Sequence, residues 1–350
     1  MSVLSTRLTE KFAIRYPFAC AGMAFAGGTA DLAVAVTAEG GIGAVGAALL
    51  PAEELRRLIH EVRQRVGSAP FNINLISYFD TAEQVHLCAQ ERVPIVSFHW
   101  GHPPADQLAQ LRSAGVSMWE QVGSAEAAGR AIDDGVDVVV AQGWEAGGHN
   151  YGGLPTMVGL PAVVDAVGGR VPVLAAGGIT DGRQVAAALC LGADGVWVGT
   201  RLVASAEAQV HLEHHRRLVA ARGEDTVRSS VFGPEWPQFN PMRVQRDRVV
   251  AEWDDRLEEI PADRDALEQV GTTVFQGEKT VLRKFNALPP TPATVADWEE
   301  MPWLMGQGVG LIREVKPAGQ IVRDMMDQAE RVLTGFGKDT ERIAGTSDFG

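Results

Sequence analysis

The chain has 350 residues, with 31 Lys and Arg against 44 Asp and Glu and a formal net charge of −13. That acidic balance excludes the basic face of a nucleic-acid binder. Apolar residues at 46% and charged residues at 21% exclude wholesale disorder. The length leaves room for a segment beyond a single α/β barrel, which takes about 250 residues.

In chain order, Met1 to Phe12 carry no apolar targeting core, and no run of about 18 apolar residues is present to span a membrane. Cys20, Cys88 and Cys190 lie far apart without a Cys-x-x-Cys pair, and each sits in apolar company, so they read as buried free thiols. A reduced, cytoplasmic protein without a membrane partner is expected, as monomer or homodimer.

From residue 18 to 200 a rhythm repeats: a short apolar run, a small polar residue or glycine, then a helical stretch. The runs are Phe18–Met23, Ile42–Gly46, Phe71–Leu75, Ile95–Phe98, Val116–Val122, Val136–Ala141, Val171–Ala176 and Gly195–Gly199. Continuous apolar runs such as Val136 to Val140 suit parallel strands buried on both faces. The intervening stretches include Ala30–Glu39, Pro51–Val66 with Glu53 and Glu54 near its start, and Asp181–Leu191 behind Thr180 as a cap candidate. Eight such units predict an α/β fold, a closed (βα)₈ TIM barrel, with a doubly wound open sheet as the rival. The barrel unit is placed at residues 1–205.

After Arg201 the rhythm breaks. Residues 207–235 read as helical and polar, residues 236–300 mix Trp, Pro, Arg and acidic residues without strand periodicity, and 206–315 together read as a helical or irregular cover packing over the barrel. Residues 316–350 read as a helix from Lys316 to Leu333 returning to the barrel, followed by a frayed tail.

In a barrel the chemistry lies at the C-terminal ends of the strands. Those ends carry Ala21-Gly22-Met23, Asn74, His99-Trp100 with His102, Gln121, Gly147-Gly148-His149, Ala176-Gly177-Gly178 and Gly199-Thr200. Glycine turns on the last two strands free backbone N–H groups to face an anion, a phosphate by preference. Gly147-Gly148 lets the backbone pass close to a flat ligand, and His149 can accept a proton near neutral pH. Asn74 and Gln121 end apolar strands, where an amide could pair with the edge of a planar ligand or cap neighbouring loops. His99 and His102 find no third ligand at useful spacing, so no metal is expected, and His99 reads as pocket lining. His211, His214 and His215 read as a solvated helix face.

These blocks resemble the nitronate monooxygenases, formerly 2-nitropropane dioxygenases, a group related to the flavin-dependent enoyl-ACP reductases. The likeness rests on Glu145-Ala146-Gly147-Gly148-His149, Ala175 to Ile179 with Asp181-Gly182, Leu191 to Val196, and Gly199-Thr200-Arg201. Ala21-Gly22-Met23, Gly40 to Gly43 and Phe71 to Leu75 extend it over most of residues 17–205. The resemblance implies an FMN-containing barrel. The phosphate would lie on Ala176, Gly177, Gly178, Gly199 and Thr200. The ring system would contact Ala21, Gly22, Met23, Asn74 and Gln121, with Gly148 nearby. His149 matches the catalytic base. Beyond the barrel, Trp236-Pro237, Met242 to Asp247 and Met305 to Gly310 also resemble nitronate monooxygenase segments, so that Met305, Gly306 and Gln307 would approach the flavin from the cover.

The chain departs from the usual pattern at Asn150-Tyr151 after the His, at Gln121, and at the bulky His99-Trp100. His99, Trp100 and Tyr151 are therefore assigned to the substrate pocket. The implied reaction is oxidation of alkyl nitronates, and of nitroalkanes, by O₂ to a carbonyl compound and nitrite. The alternative is an NAD(P)H-dependent flavin reductase acting on an enoyl thioester or a quinone.

Overall fold

A computed structural model describes residues 2–150, 152–234, 236–261 and 263–335. Tyr151 and the tail expected to fray thus lie outside the described residues.

Each apolar run becomes a strand: β1 (Phe18–Cys20), β2 (Gly43–Gly46), β3 (Phe71–Ile76), β4 (Ile95–His99), β5 (Ser117–Val122), β6 (Val138–Gln142), β7 (Val173–Ala176) and β8 (Gly195–Val198). All neighbouring pairs in this sheet are parallel, in the spatial order β1-β8-β7-β6-β5-β4-β3-β2. The two ends meet. Ala19 bridges Ile42, and the Cys20 N–H donates to the Ile42 carbonyl at 2.8 Å, which makes the sheet a barrel and rules out the open alternative.

The barrel interior is filled by Ile42, Ile95, Trp119, Val138, Val140, Leu174 and Trp197. Leu8 and Phe12, from a helix ahead of β1, join this cluster, with Phe12 edge-on to Trp119 at 5.3 Å. The bulky layer is a packed core, so ligand space is left only above it, at the C-terminal strand ends.

The helices pack outside. In Ala52–Val66, Leu55, Leu58, Ile59 and Val62 form one buried stripe, while Glu53 and Glu54 in the first turn and Arg63 and Arg65 in the last suit the helix dipole. Pro51 is its N-cap, one residue before the helix. The helix Gly182–Cys190 is capped by Asp181, not Thr180, because Asp181 and Gln184 form a reciprocal capping box. This helix turns Val185, Ala186 and Ala188 inward, so Cys190 is exposed, contrary to the expectation of three buried thiols.

The C-terminal cover contains more strand than its sequence announces. Thr226–Ser229 pairs antiparallel with Met242–Gln245, and the latter pairs with the two-residue strand Gly148–His149. A hairpin joins Gln269–Phe275 to Glu278–Arg283. Val274 and Val281 are exposed while Thr273 is buried, so apolar residues do not track the inward face and the alternation that reveals a strand is missing. Val231, Phe232, Met242, Val244, Val249, Val250, Leu267 and Phe285 form a buried cluster within the cover. The terminal helix Ala318–Gly335 returns against Gly182–Cys190, where a Cβ on Gly182 would lie 2.4 Å from the Met325 carbonyl oxygen. No helix among the described residues is long and apolar enough to cross a membrane.

Candidate active site

A cavity of about 510 Å³ opens between the strand ends and the cover. Its barrel side is lined by Ala21, Gly22, Met23, His99, Gln121, Gly148, His149, Ala176, Gly177, Gly178, Gly199 and Thr200, all expected in the site. Gly306 reaches the same wall from the cover.

At one end backbone N–H groups converge. Gly177 and Gly178 have φ of 98° and 72°, a conformation that favours glycine, and it turns the chain sharply after β7. Among the described residues, none accepts a hydrogen bond from the N–H of Gly177, Gly178, Ile179, Gly199 or Thr200. Unpaired amides gathered at one place are costly unless a ligand or water satisfies them, and together they form an anion cradle. The Thr200 hydroxyl oxygen accepts from the Gly306 N–H at 2.9 Å, which leaves its own proton to donate onward. Among the described residues, no Lys, Asp or Glu lines the cavity.

Beside the cradle two glycines press against their neighbours. A Cβ on Gly22 would lie 1.9 Å from Asn74 Cγ, and a Cβ on Gly147 would lie 2.4 Å from the Gly306 nitrogen. Asn74 therefore sits beneath Gly22 and not in the wall, and its amide donates to the Ser97 hydroxyl at 2.8 Å. This corrects the expectation of direct contact: a strand-end amide has a partner on the next strand.

The other end holds the histidines. Gln121 Nε2 lies 2.7 Å from His99 Nδ1. An amide N–H donates, so Nδ1 accepts and the proton of neutral His99 sits on Nε2. Burial lowers His99 to a pKa of about 4. The His149 ring stacks on Phe239 with centroids 3.5 Å apart and meets Trp100 edge-on at 5.5 Å. Burial lowers its pKa to about 3; His99 adds to the lowering and the Phe239 backbone opposes it. His149 is thus a neutral imidazole throughout the physiological range.

The loop carrying His149 is fastened from behind. Asn150 is fully buried, and its side-chain amide donates to the carbonyls of Trp144 at 2.8 Å and Ala146 at 3.2 Å. Arg243 donates to the Trp144 carbonyl at 2.9 Å, and Arg228 to that of Asn150. Glu145 accepts from the Thr156 N–H and hydroxyl, both at 2.9 Å. These contacts and the pairing of His149 with Met242 set the imidazole position.

Three further expectations are corrected. Trp100 is buried, donates its indole N–H to the Gln238 carbonyl at 2.8 Å, and backs His149 without lining the cavity. Met305 is buried in a cluster with Trp303 and Val309, away from the cavity wall, and its backbone abuts the loop at Gly147. Gln307 stays outside the wall and donates its backbone N–H to the Glu145 carbonyl at 2.9 Å. His102 pairs with Glu120 at 2.9 Å and Asp134 at 3.1 Å, away from His99.

His214 is not on a solvated face. It is 2% exposed, lines the cavity, and its Nε2 lies 3.1 Å from the Leu304 carbonyl oxygen. The helix Leu212–Ala220 turns His214 and Leu218 inward, while His211 stacks on Trp298 and the partly buried His215 reaches the Val203 carbonyl at 3.0 Å.

Sequence reasoning also missed lining residues. Gln142 ends β6 as Gln121 ends β5, the same signature, and it donates to the His149 carbonyl at 3.1 Å. Trp236, Phe239, Phe275, Leu282 and Leu288 come from the cover, where no strand-end rule pointed.

The model of one protein family, nitronate monooxygenase, matches residues 5–84 and 77–328. A nitronate monooxygenase of Pseudomonas aeruginosa is 29% identical over 93% of this chain and 99% of its own. A (3aS,4S,5R,7aS)-5-hydroxy-7a-methyl-1-oxo-octahydro-1H-indene-4-carboxyl-CoA dehydrogenase of Mycobacterium tuberculosis is 37% identical over 64% of this chain. The chain spans 62%, 59% and 65% of the length of three curated relatives, that dehydrogenase among them. Among solved structures, FabK from Thermotoga maritima superposes with a TM-score of 0.77 and 32% identity, over 95% of this chain and 99% of that one.

Proposed function

The chain belongs to the nitronate monooxygenase family, and we propose that it is a flavin-dependent oxidoreductase that oxidises alkyl nitronates with O₂ to a carbonyl compound and nitrite. The observation that carries this reading is one cavity joining an uncharged amide cradle to a buried, neutral imidazole.

The residues present fit FMN. Its phosphate would be held by the N–H groups of Gly177, Gly178, Gly199 and Thr200, with Ala176 beside them. The wall of Ala21, Gly22, Met23 and Gly148 would lie against a ring system, with Gln121 beside it. When bound, FMN supplies the electron acceptor for the organic substrate and the site of reaction with O₂.

The protein's own part is binding and proton control. A nitronate is already deprotonated at carbon, so it needs no strong base. The neutral His149 can lie beside this anion and hold a proton at its ring nitrogen. A base whose conjugate acid titrates at about 3 is weak toward the α-proton of a neutral nitroalkane, which favours the nitronate as substrate. Trp100 and Phe239 keep water from the imidazole faces. We assign residues 1–205 to the flavin-binding barrel, 206–315 to the lid and 316–350 to the returning helix and tail.

The test is to mix purified, anaerobic protein separately with propionate 3-nitronate, ethyl nitronate, NADH and NADPH and follow the flavin absorbance. Bleaching by nitronates, with nitrite released on admitting O₂, is expected. Bleaching by NADPH and never by a nitronate would replace this reading with the reductase of enoyl thioesters or quinones. A colourless protein that takes up no FMN would remove both.

A further inference from the structure

We propose that the cover half of the cavity is a subsite for an uncharged, apolar tail on the substrate, with Phe275 and Leu282 of the hairpin determining how long a tail is accepted. The proposal rests on the nitronate reading above and adds the substrate class to it.

The barrel side of the cavity supplies the unpaired amides, His99 and His149, with Leu49 from the loop after β2. The cover side supplies the apolar Trp236, Phe239, Phe275, Leu282 and Leu288, interrupted by the uncharged Thr280 and Asn286 and the buried His214. The only charged side chain among the described lining residues, histidines aside, is Arg264, and it already interacts within the protein. A carboxylate on the substrate tail would compete with that interaction and pay for desolvation, whereas an alkyl chain or ring would bury apolar surface.

The hairpin builds this wall. Its register sets Leu282 opposite Gly271 and Phe275 opposite Glu278 beside the turn, so Phe275 stands at the tip. Gln276 and Gly277 make that turn with φ of 51° and 81°. Beyond the tip lies an outer groove of about 520 Å³ that shares Phe25, Leu49, Phe275 and Gln276 with the cavity. Two contacts part the spaces: the Phe25 and Phe275 rings 6.1 Å apart, and Gln276 Nε2 donating to the Leu49 carbonyl at 2.7 Å. A tail that fills the subsite ends at this partition.

The experiment measures kcat/KM of the flavin-loaded enzyme for ethyl, butyl, hexyl and octyl nitronates and for propionate 3-nitronate. In parallel, perturbation of the flavin spectrum by the unreactive alcohols ethanol to octanol gives Kd without turnover. The expected result is a gain of about fourfold per methylene in both series until the partition is met, as for burial of a CH₂ group. Butyl nitronate should exceed propionate 3-nitronate. Phe275→Ser, which removes one ring of the partition, should carry the gain on to longer tails than the wild type accepts, and Leu282→Asn should reduce the gain per methylene; Phe275, half-buried at the tip, is the variant that best preserves folding. Equal values at every length in both series, or a preference for propionate 3-nitronate, would overturn the subsite. Loss of all nitronate oxidation with the alcohol gain intact would overturn the reaction and leave the subsite standing.

Discussion

The imidazole of His149 lies on the ring of Phe239, with centroids 3.5 Å apart and planes inclined by 30°. One ring comes from the loop after β6 and the other from the cover, so the protonation state of the barrel's histidine depends on the cover being in place. Phe239→Ala admits water and relieves the burial that lowers His149 to about 3, so its pKa rises toward the ordinary value of about 6.5. With a nitronate substrate, the wild-type pH profile of kcat/KM should show no step near 6. The Phe239→Ala profile should gain one, with the cationic form dominating below it. Superimposable profiles would show that Phe239 does not set the titration.

His149→Asn keeps the cradle intact and should retain the flavin. Turnover of neutral nitroalkanes should fall by about 10²-fold, the low end for loss of a general base, because the imidazole is a weak one. Pre-formed nitronates should lose less. An equal loss on both substrate forms, measured by nitrite release, would count against proton abstraction by His149.

The barrel was legible because strands buried on both faces read as unbroken apolar runs, and the glycine turns were legible because barrel geometry puts ligands at strand ends. The rest depended on packing between segments distant in sequence. Asn74 is a strand-end amide like Gln121, but only the close approach of Gly22 shows that it lies beneath the wall. Phe239 reaches the cavity from a short 3-10 turn, and Leu282 from a strand whose outward Val281 is also apolar, so neither position stands out in a period of two. His214 sits in a charged run, yet the helix turns that position inward.

Gly177→Ala tests the cradle. Gly177 has φ of 98°, and an added Cβ would lie 3.0 Å from the Gly143 carbonyl oxygen. A left-handed conformation costs an L-residue about 1–2 kcal/mol, and relief by backbone shift would misdirect the N–H groups. FMN affinity, measured by quenching of flavin fluorescence on adding FMN to the flavin-free protein, should fall by about tenfold or more. Unchanged affinity would exclude this turn from the phosphate site.

Stability should peak near neutral pH and fall on the acid side for an identifiable reason. His99, His149 and His214 titrate at about 4, 3 and 4 in the folded protein. In the unfolded chain they take up protons near pH 6.5. Between these values the unfolded state binds more protons, so stability falls as pH falls. Glu120 and Asp247 act the other way: burial raises them to about 7 and about 8, so the folded state holds their protons and their contribution is lost as pH rises. Near pH 5.5 the three histidines outweigh the two carboxyls, so stability falls toward acid. As pH rises past the unfolded histidine value of about 6.5 the carboxyls come to dominate and the slope reverses. Urea unfolding at pH 5.5, 6.5 and 7.5 should give the highest midpoint at 6.5. His214→Phe, which removes one histidine far from His149 in sequence, should flatten the acid limb, whereas an unaltered limb would place the proton uptake elsewhere.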